Sequence, residues 1–186
     1  MKKIFLSISI LSLLFASCTK EQNPFLIGKN HVGLLTDSTQ VRDIAKIFSN
    51  DSIVTNNSAN AFMGPNDDIE IYEKGGNKLL ILTPAIPNDS TSYIRSVRIM
   101  DPRYKTKENI TVSSTFKDVS DNYKINKVDN MLGSVIVYAK EINAMLTIDK
   151  KELPANMRFD TSLKIEAIHI PDNAKIKYFF LNWNKS

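Results

Sequence analysis

Beyond residue 18 the sequence has no cysteine, so no disulfide can form within the body and its stability must come from packing alone. Only two histidines occur, His31 and His169, with no metal-ligand spacing between them and no thiolate to assist, so no metal site is expected. Six glycines supply no Walker-type loop, no dinucleotide fingerprint and no Gly-x-Ser-x-Gly elbow. Neither histidine stands in a context suited to activating a serine or threonine, so no catalytic residues are assigned and the chain is expected not to be an enzyme. After the first 17 residues no long apolar run remains, which excludes a helical membrane span from that part. Cationic excess is also missing. The formal charge of +4 falls to +2 once Lys2 and Lys3 are set aside, too little for a nucleic-acid partner.

What is present begins at the N-terminus. Met1-Lys2-Lys3 is a short positive segment, Ile4 to Ala16 is apolar apart from its serines, and the small residues Ala16 and Ser17 precede Cys18, the single cysteine. Thirteen residues rise roughly 20 Å as helix, short of a hydrocarbon core of about 30 Å, so residues 1–17 read as a cleaved signal. The stretch Leu14-Phe15-Ala16-Ser17-Cys18 resembles the lipobox of bacterial lipoproteins. Leu14 stands four residues before the cysteine and Phe15 three, where that family has Leu at three. The looser boxes of Bacteroidetes-type bacteria are similar. The resemblance implies cleavage between Ser17 and Cys18, acylation of Cys18 with diacylglyceryl and palmitate-like chains, and a body held on a cell-envelope membrane, in all expectation the outer one, facing periplasm or surface. Two or more acyl chains hold a protein on a bilayer stably.

The polar residues 18–30 read as a tether to a body of two similar units, 31–104 and 105–186. In the first, Val32 to Leu35 suggests a short strand, Asp37-Ser38-Thr39 a helix cap, and Val41, Ile44, Ala45, Ile47 and Phe48 a helical apolar face. In the second, Asn109 to Val112, Ser113-Ser114-Thr115 with Asp118, and Val119 with Tyr123 repeat the order. Ser38-Thr39 aligns with Ser114-Thr115 at a spacing of 76, and Asp43-Ile44, Phe48 and Ile53 align with Asp118-Val119, Tyr123 and Val128 at 75, which requires a one-residue gap. Ile69 to Tyr72 and Lys78 to Thr83 around Glu73–Asn77 predict a hairpin, and Tyr93 to Met100 a half-buried strand. Ser134 to Tyr138, Ala144 to Asp149, and Lys164 to Ile170 are the expected counterparts, with Ile176 to Trp183 as a final strand. The expected fold is α+β: two tandem units, each a short helix on an antiparallel sheet.

Smaller groupings carry little chemistry. Asp67, Asp68 and Glu70 lack the spaced loop of a calcium site and read as a charged lead-in to a strand. Arg103, Lys105 and Lys107 around Tyr104 read as a solvated joint, with anionic lipid or polysaccharide as the functional option. Tyr178-Phe179-Phe180 with Trp183 reads as core, with glycan stacking as the option. Asp37-Ser38-Thr39, Asp51-Ser52-Ile53 and Asp89-Ser90-Thr91 resemble short O-glycosylation acceptors. Over most of the body, through His31 to Thr36, Asp51 to Val54, Asp101 to Thr106 and Ser114 to Asp118, the chain resembles an uncharacterised family of small Bacteroidetes lipoproteins, which implies no activity. The expected function is a non-enzymatic protein-interaction module of the envelope. Its partners are membrane lipid, through Cys18, and another envelope protein; it needs no cofactor. The alternative is a ligand- or glycan-binding accessory lipoprotein, with a hydrolase ranked below it.

Overall fold

The computed structural model describes residues 23–60 and 64–183. Met1 to Gln22, with the expected signal and Cys18, lie outside the described residues.

The fold is α+β with the sheet dominant. A small antiparallel sheet is made by β1 (Ile27–Gly28), β2 (His31–Val32) and β3 (Leu35–Thr36). A 3₁₀ turn, Val41–Asp43, leads into α1 (Ile44–Ile47). The first four long strands are β4 (Ser52–Asn60), β5 (Gly64–Tyr72), β6 (Lys78–Pro84) and β7 (Ile94–Ile99). Then come α2 (Phe116–Asn122), β8 (Lys127–Asn130), β9 (Ser134–Ala139), β10 (Ala144–Asp149) and β11 (Ile176–Asn182). All eight long strands form one antiparallel sheet in the order β4-β5-β6-β7-β11-β10-β9-β8. Each half is a four-strand meander after a short helix, and the two halves join where the last strand of each pairs with the other.

Period-two alternation decides which side chains are buried. Ile69, Ile71, Leu80, Leu82, Val97, Ile99, Phe179, Leu181, Leu146 and Val137 all point to one face and are buried there. The same core takes in Ile44 and Phe48 from the first helical segment, Phe116 and Val119 from α2, and Ile27, Val32 and Leu35 from the small sheet. A single core therefore runs across both halves.

Hydrogen bonds recur between the halves at fixed spacing. The Thr36 amide donates to Thr39 Oγ1 at 2.9 Å and the Thr111 amide to Ser114 Oγ at 3.1 Å. Gln40 N donates to Asp43 Oδ2 at 3.3 Å, and Thr115 N to Asp118 Oδ2 at 2.7 Å. Val41 N donates to Ser92 O at 2.9 Å, and Phe116 N to Ala174 O at 2.8 Å. The spacing is 75 residues through the caps and 82 through the last strands. The register slips between Thr83 and Pro84 in one half and between Thr147 and Ile148 in the other.

Several sequence expectations change. No one-residue gap separates the helices: Gln40, not Ser38-Thr39, occupies the cap position equivalent to Thr115. Thr39 is buried and its hydroxyl turns back to accept the Thr36 amide, so it cannot also cap. Lys164 to Ile170 is not a strand. Glu166 N donates to His169 Nδ1, a 3₁₀ turn covers Ala167–His169, and β11 takes the place beside β7. The physical reason is apolar density: Phe179 and Leu181 fill the core beside Val97 and Ile99, whereas Ile168 of the other segment is exposed. Asn109 to Val112 is irregular instead of a strand, with Asn109 at a φ of 61°. Gly64 to Asn66 open β5. The expected tether is shorter than residues 18–30, because Ile27 is buried and Ile27 N donates to Lys105 O at 2.8 Å.

Candidate interaction face

The residues that alternate with the core set form the sheet's outer face, and among the described residues no helix packs on it. Cross-strand register aligns Val54, Glu70, Ile81, Arg98, Phe180, Met145, Tyr138 and Lys127 in one row from edge to edge. At its centre the Arg98 guanidinium lies 3.9 Å from the Tyr178 ring centroid and 5.7 Å from that of Phe180. The two rings meet edge to face at 6.3 Å. Arg98 Nε is buried without a hydrogen-bond partner among the described residues, which is affordable where ring faces take the charge.

Lysines also sit over rings of this face. Lys78 Nζ stands 5.1 Å from the Tyr72 centroid, Lys177 5.5 Å from Tyr178 and Lys127 5.4 Å from Tyr138. Carboxylates hold those cations in place. Glu70 pairs with Lys78 at 2.8 Å, and this bond, then the Tyr72 hydroxyl, hold its carboxyl below the usual range. Lys127 does the same for Asp129 and Lys177 for Asp149. Thr83 Oγ1 donates to Asp68 Oδ1 at 2.7 Å. Beside the central arginine a shallow groove of about 400 Å³ is lined by Thr83, Arg95, Ser96, Met145, Phe180 and Asn182.

The aromatic cluster of the sequence is thus divided by the pleat. Phe179 and Trp183 are core; Tyr178 and Phe180 are partly exposed on the outer face. Asp68 and Glu70 face a threonine and a lysine rather than each other, while the Asp67 side chain falls outside the described set. In the basic joint Lys105 and Lys107 are exposed, as a solvated joint requires, and Arg103 is engaged by acids. Tyr104 is buried edge to face against Phe25 at 5.0 Å, and Arg103 lies over Phe25 while binding Asp101 and Glu73. Packing the N-terminal segment against this joint buries Tyr104, while Arg103, Lys105 and Lys107 stay exposed.

A second cluster comes from four separated stretches and had no signal in the sequence. His31, Glu108, Tyr123 and Glu141, with Lys29 and Lys107, line a cavity of about 290 Å³ beside β1. The Tyr123 hydroxyl donates to Glu108. Burial first, and then this carboxylate, push the Tyr123 phenol up to about 12, while the phenol's hydrogen bond holds Glu108 below the usual range. Neither group is poised to exchange a proton near neutrality. His169 is remote in sequence and takes its Nδ1 bond from Glu166. Cys18 and Ser17 lie outside the described residues, and among those described no helix is long and apolar enough to cross a membrane.

No protein-family model matches the chain, and no curated protein matches it at a significant level. Among solved structures it is similar to the uncharacterized protein yfeY from Escherichia coli, at 16% identity, with a TM-score of 0.49. The match covers 84% of this chain and 98% of that one.

Proposed function

We propose that this chain is an envelope lipoprotein whose body is a non-enzymatic protein-interaction module. Residues 1–17 are removed, Cys18 bears the lipid, and the body is carried on a membrane, most naturally the outer one. A second envelope protein docks on the outer sheet face. One observation carries the reading: at the centre of a sheet face on which no helix packs among the described residues, arginine and aromatic side chains are clustered and held in fixed geometry. Arginine, tyrosine and other aromatics are the side chains that dominate protein–protein hot spots.

The two halves, on this proposal, are similar units descended from one. Support comes from the repeated cap bonds and the register slips that recur at equivalent places. At the joint, Arg98 pairs with Phe180, and these are equivalent positions at the 82-residue spacing. The docking centre therefore lies where the units meet, and one half alone does not contain it.

A specific observation favours the alternative of a glycan- or ligand-binding lipoprotein, namely the groove beside Phe180 with Asn182, Ser96 and Thr83 as polar lining. Affinity purification of the acylated protein from its own envelope, with Cys18→Ala and Arg98→Glu forms as controls, separates the two. A protein partner that is lost with Arg98→Glu, while far-ultraviolet circular dichroism is unchanged, is the expected result. A co-purifying glycan replaces this reading with the alternative, and recovery of neither overturns it.

A further inference from the structure

The strands alternate in direction, so each connection belongs to one end of the sheet. The β5–β6 turn at Glu73–Asn77, the exit from β7 at Asp101, the β8–β9 turn at Met131–Gly133 and the chain leaving β10 at Lys150 share one end. The β6–β7 loop and the β9–β10 turn are at the other.

The N-terminal segment runs between these ends across the core face. Lys29 O accepts from Trp183 Nε1 and Asn143 Nδ2, both at 3.2 Å, at the end where β11 finishes and β9 turns into β10. Phe25 lies under Arg103, which binds Asp101 and Glu73 at the opposite end. The described residues therefore begin, at Asn23, at the Asp101 end. Asn23 is five residues after Cys18, a backbone reach of at most about 18 Å. A lipid on Cys18 holds this end, and not the other, at the bilayer.

The same end bears large apolar side chains in the open. Leu132 is 85% exposed, Phe159 89% and Met131 49%. Their loops are built as one unit: Asn130 Nδ2 donates to Asp160 O at 2.9 Å and to Leu163 O at 2.8 Å, and Lys150 N donates to Gly133 O at 3.2 Å. Leu34, in the turn whose Gly33 lies against Pro24, is exposed on the same side. Of the exposed lysines at this end, Lys151 follows β10 and Lys74 lies in the β5–β6 turn, while Glu73, Asp101 and Asp149 are already paired with Arg103 or Lys177 and the Asp160 carboxylate accepts from Ser162. Apolar tips beside cations match the interface of an anionic bilayer.

We propose that Met131, Leu132 and Phe159 insert into the interfacial layer of the membrane that carries the Cys18 lipid, seating the sheet on end with its outer face directed sideways. This rests on the reading of Cys18 as the anchor, and it deepens that reading. It makes the body a docked structure with a fixed orientation instead of a particle on a string, and it keeps the Arg98 face clear of lipid.

The test uses the mature acylated chain on vesicles of phosphatidylethanolamine and phosphatidylglycerol containing nitroxide-labelled lipid. With Cys18 alkylated by its lipid, Leu132→Cys, Phe159→Cys and Ile86→Cys each offer one free thiol for an environment-sensitive fluorophore. All three sites are exposed, and Ile86 lies at the far end of the sheet. Quenching of the labels at 132 and 159 at least about twofold greater than at 86 is expected for side chains in the interfacial layer. Equal quenching at all three overturns the seating while leaving the anchor standing. An intact mass without acyl chains overturns the anchor, and the seating with it.

Discussion

Arg103 ties three parts of the chain together with one guanidinium. Its Nη1 and Nη2 reach Glu73 at 2.8 and 2.9 Å, its Nε and Nη2 reach Asp101 at 3.0 and 2.8 Å, and its face covers Phe25. The guanidinium's hydrogen bonds hold both carboxyls below their usual range, against the opposing effect of burial. Carboxyls depressed in the folded state contribute stability that is fully present above their unfolded values near 4 and is lost as pH falls through the folded ones. Stability, followed by Trp183 emission in urea, should therefore fall between about pH 5 and 2. Asp101→Asn should flatten that slope and lower the midpoint at pH 7, and Arg103→Lys should do the same less completely because an ammonium cannot hold both forks. Little of this was legible in the sequence, where Arg103 stood among lysines as a solvated cation. Its partners are 2 and 30 residues away, and only folding brings the β5–β6 turn to it.

Caps were the most readable elements. Thr115 with Asp118 forms the reciprocal box that its spacing implies, and the Thr115 backbone and hydroxyl bonds hold Asp118 below the usual range. Thr115→Ala should destabilise by about 1 kcal/mol, read as a shift in urea midpoint with unchanged slope. The first cap falls at Gln40, one residue beyond the cap-like Ser38-Thr39, because Thr39 is spent on the turn behind it. Both hairpins and the strands at 94–99, 134–139 and 144–149 fall where alternation and turn residues put them. Lys164 to Ile170 shows the limit of alternation: its apolar positions suit a strand, yet Ile165 and Ile170 are buried and Ile168 is exposed around a 3₁₀ turn. A pattern cannot say that the neighbouring place in the sheet will be filled by a better strand.

Across the whole molecule, the pairing of β7 with β11 makes one body of the two halves. Phe179 sits opposite Ile99 and Leu146, and Leu181 opposite Val97 and Ala144, all buried. Separating the halves would expose this strip and two sheet edges. Urea unfolding should therefore follow a single transition, with Trp183 emission and far-ultraviolet circular dichroism coincident. Phe179→Ala should cost about 3–5 kcal/mol and shift both signals together, whereas independent units would give two transitions.

The sequence by itself determined the α+β class, the order of most elements, the capping chemistry and Cys18 as the proposed anchor. These depend on residues close together in the chain: a period of two, a Thr-x-x-Asp spacing, a short apolar run before small residues. Tertiary structure alone decided that eight strands share one sheet, that Phe25 to Lys29 pack instead of trailing, and that Tyr178 and Phe180 face outward under Arg98. It also decided that Leu132 and Phe159 come to the end of the sheet at which Phe25 lies under Arg103. Those outcomes depend on competition for burial between segments far apart in sequence, and no local pattern records which segment wins.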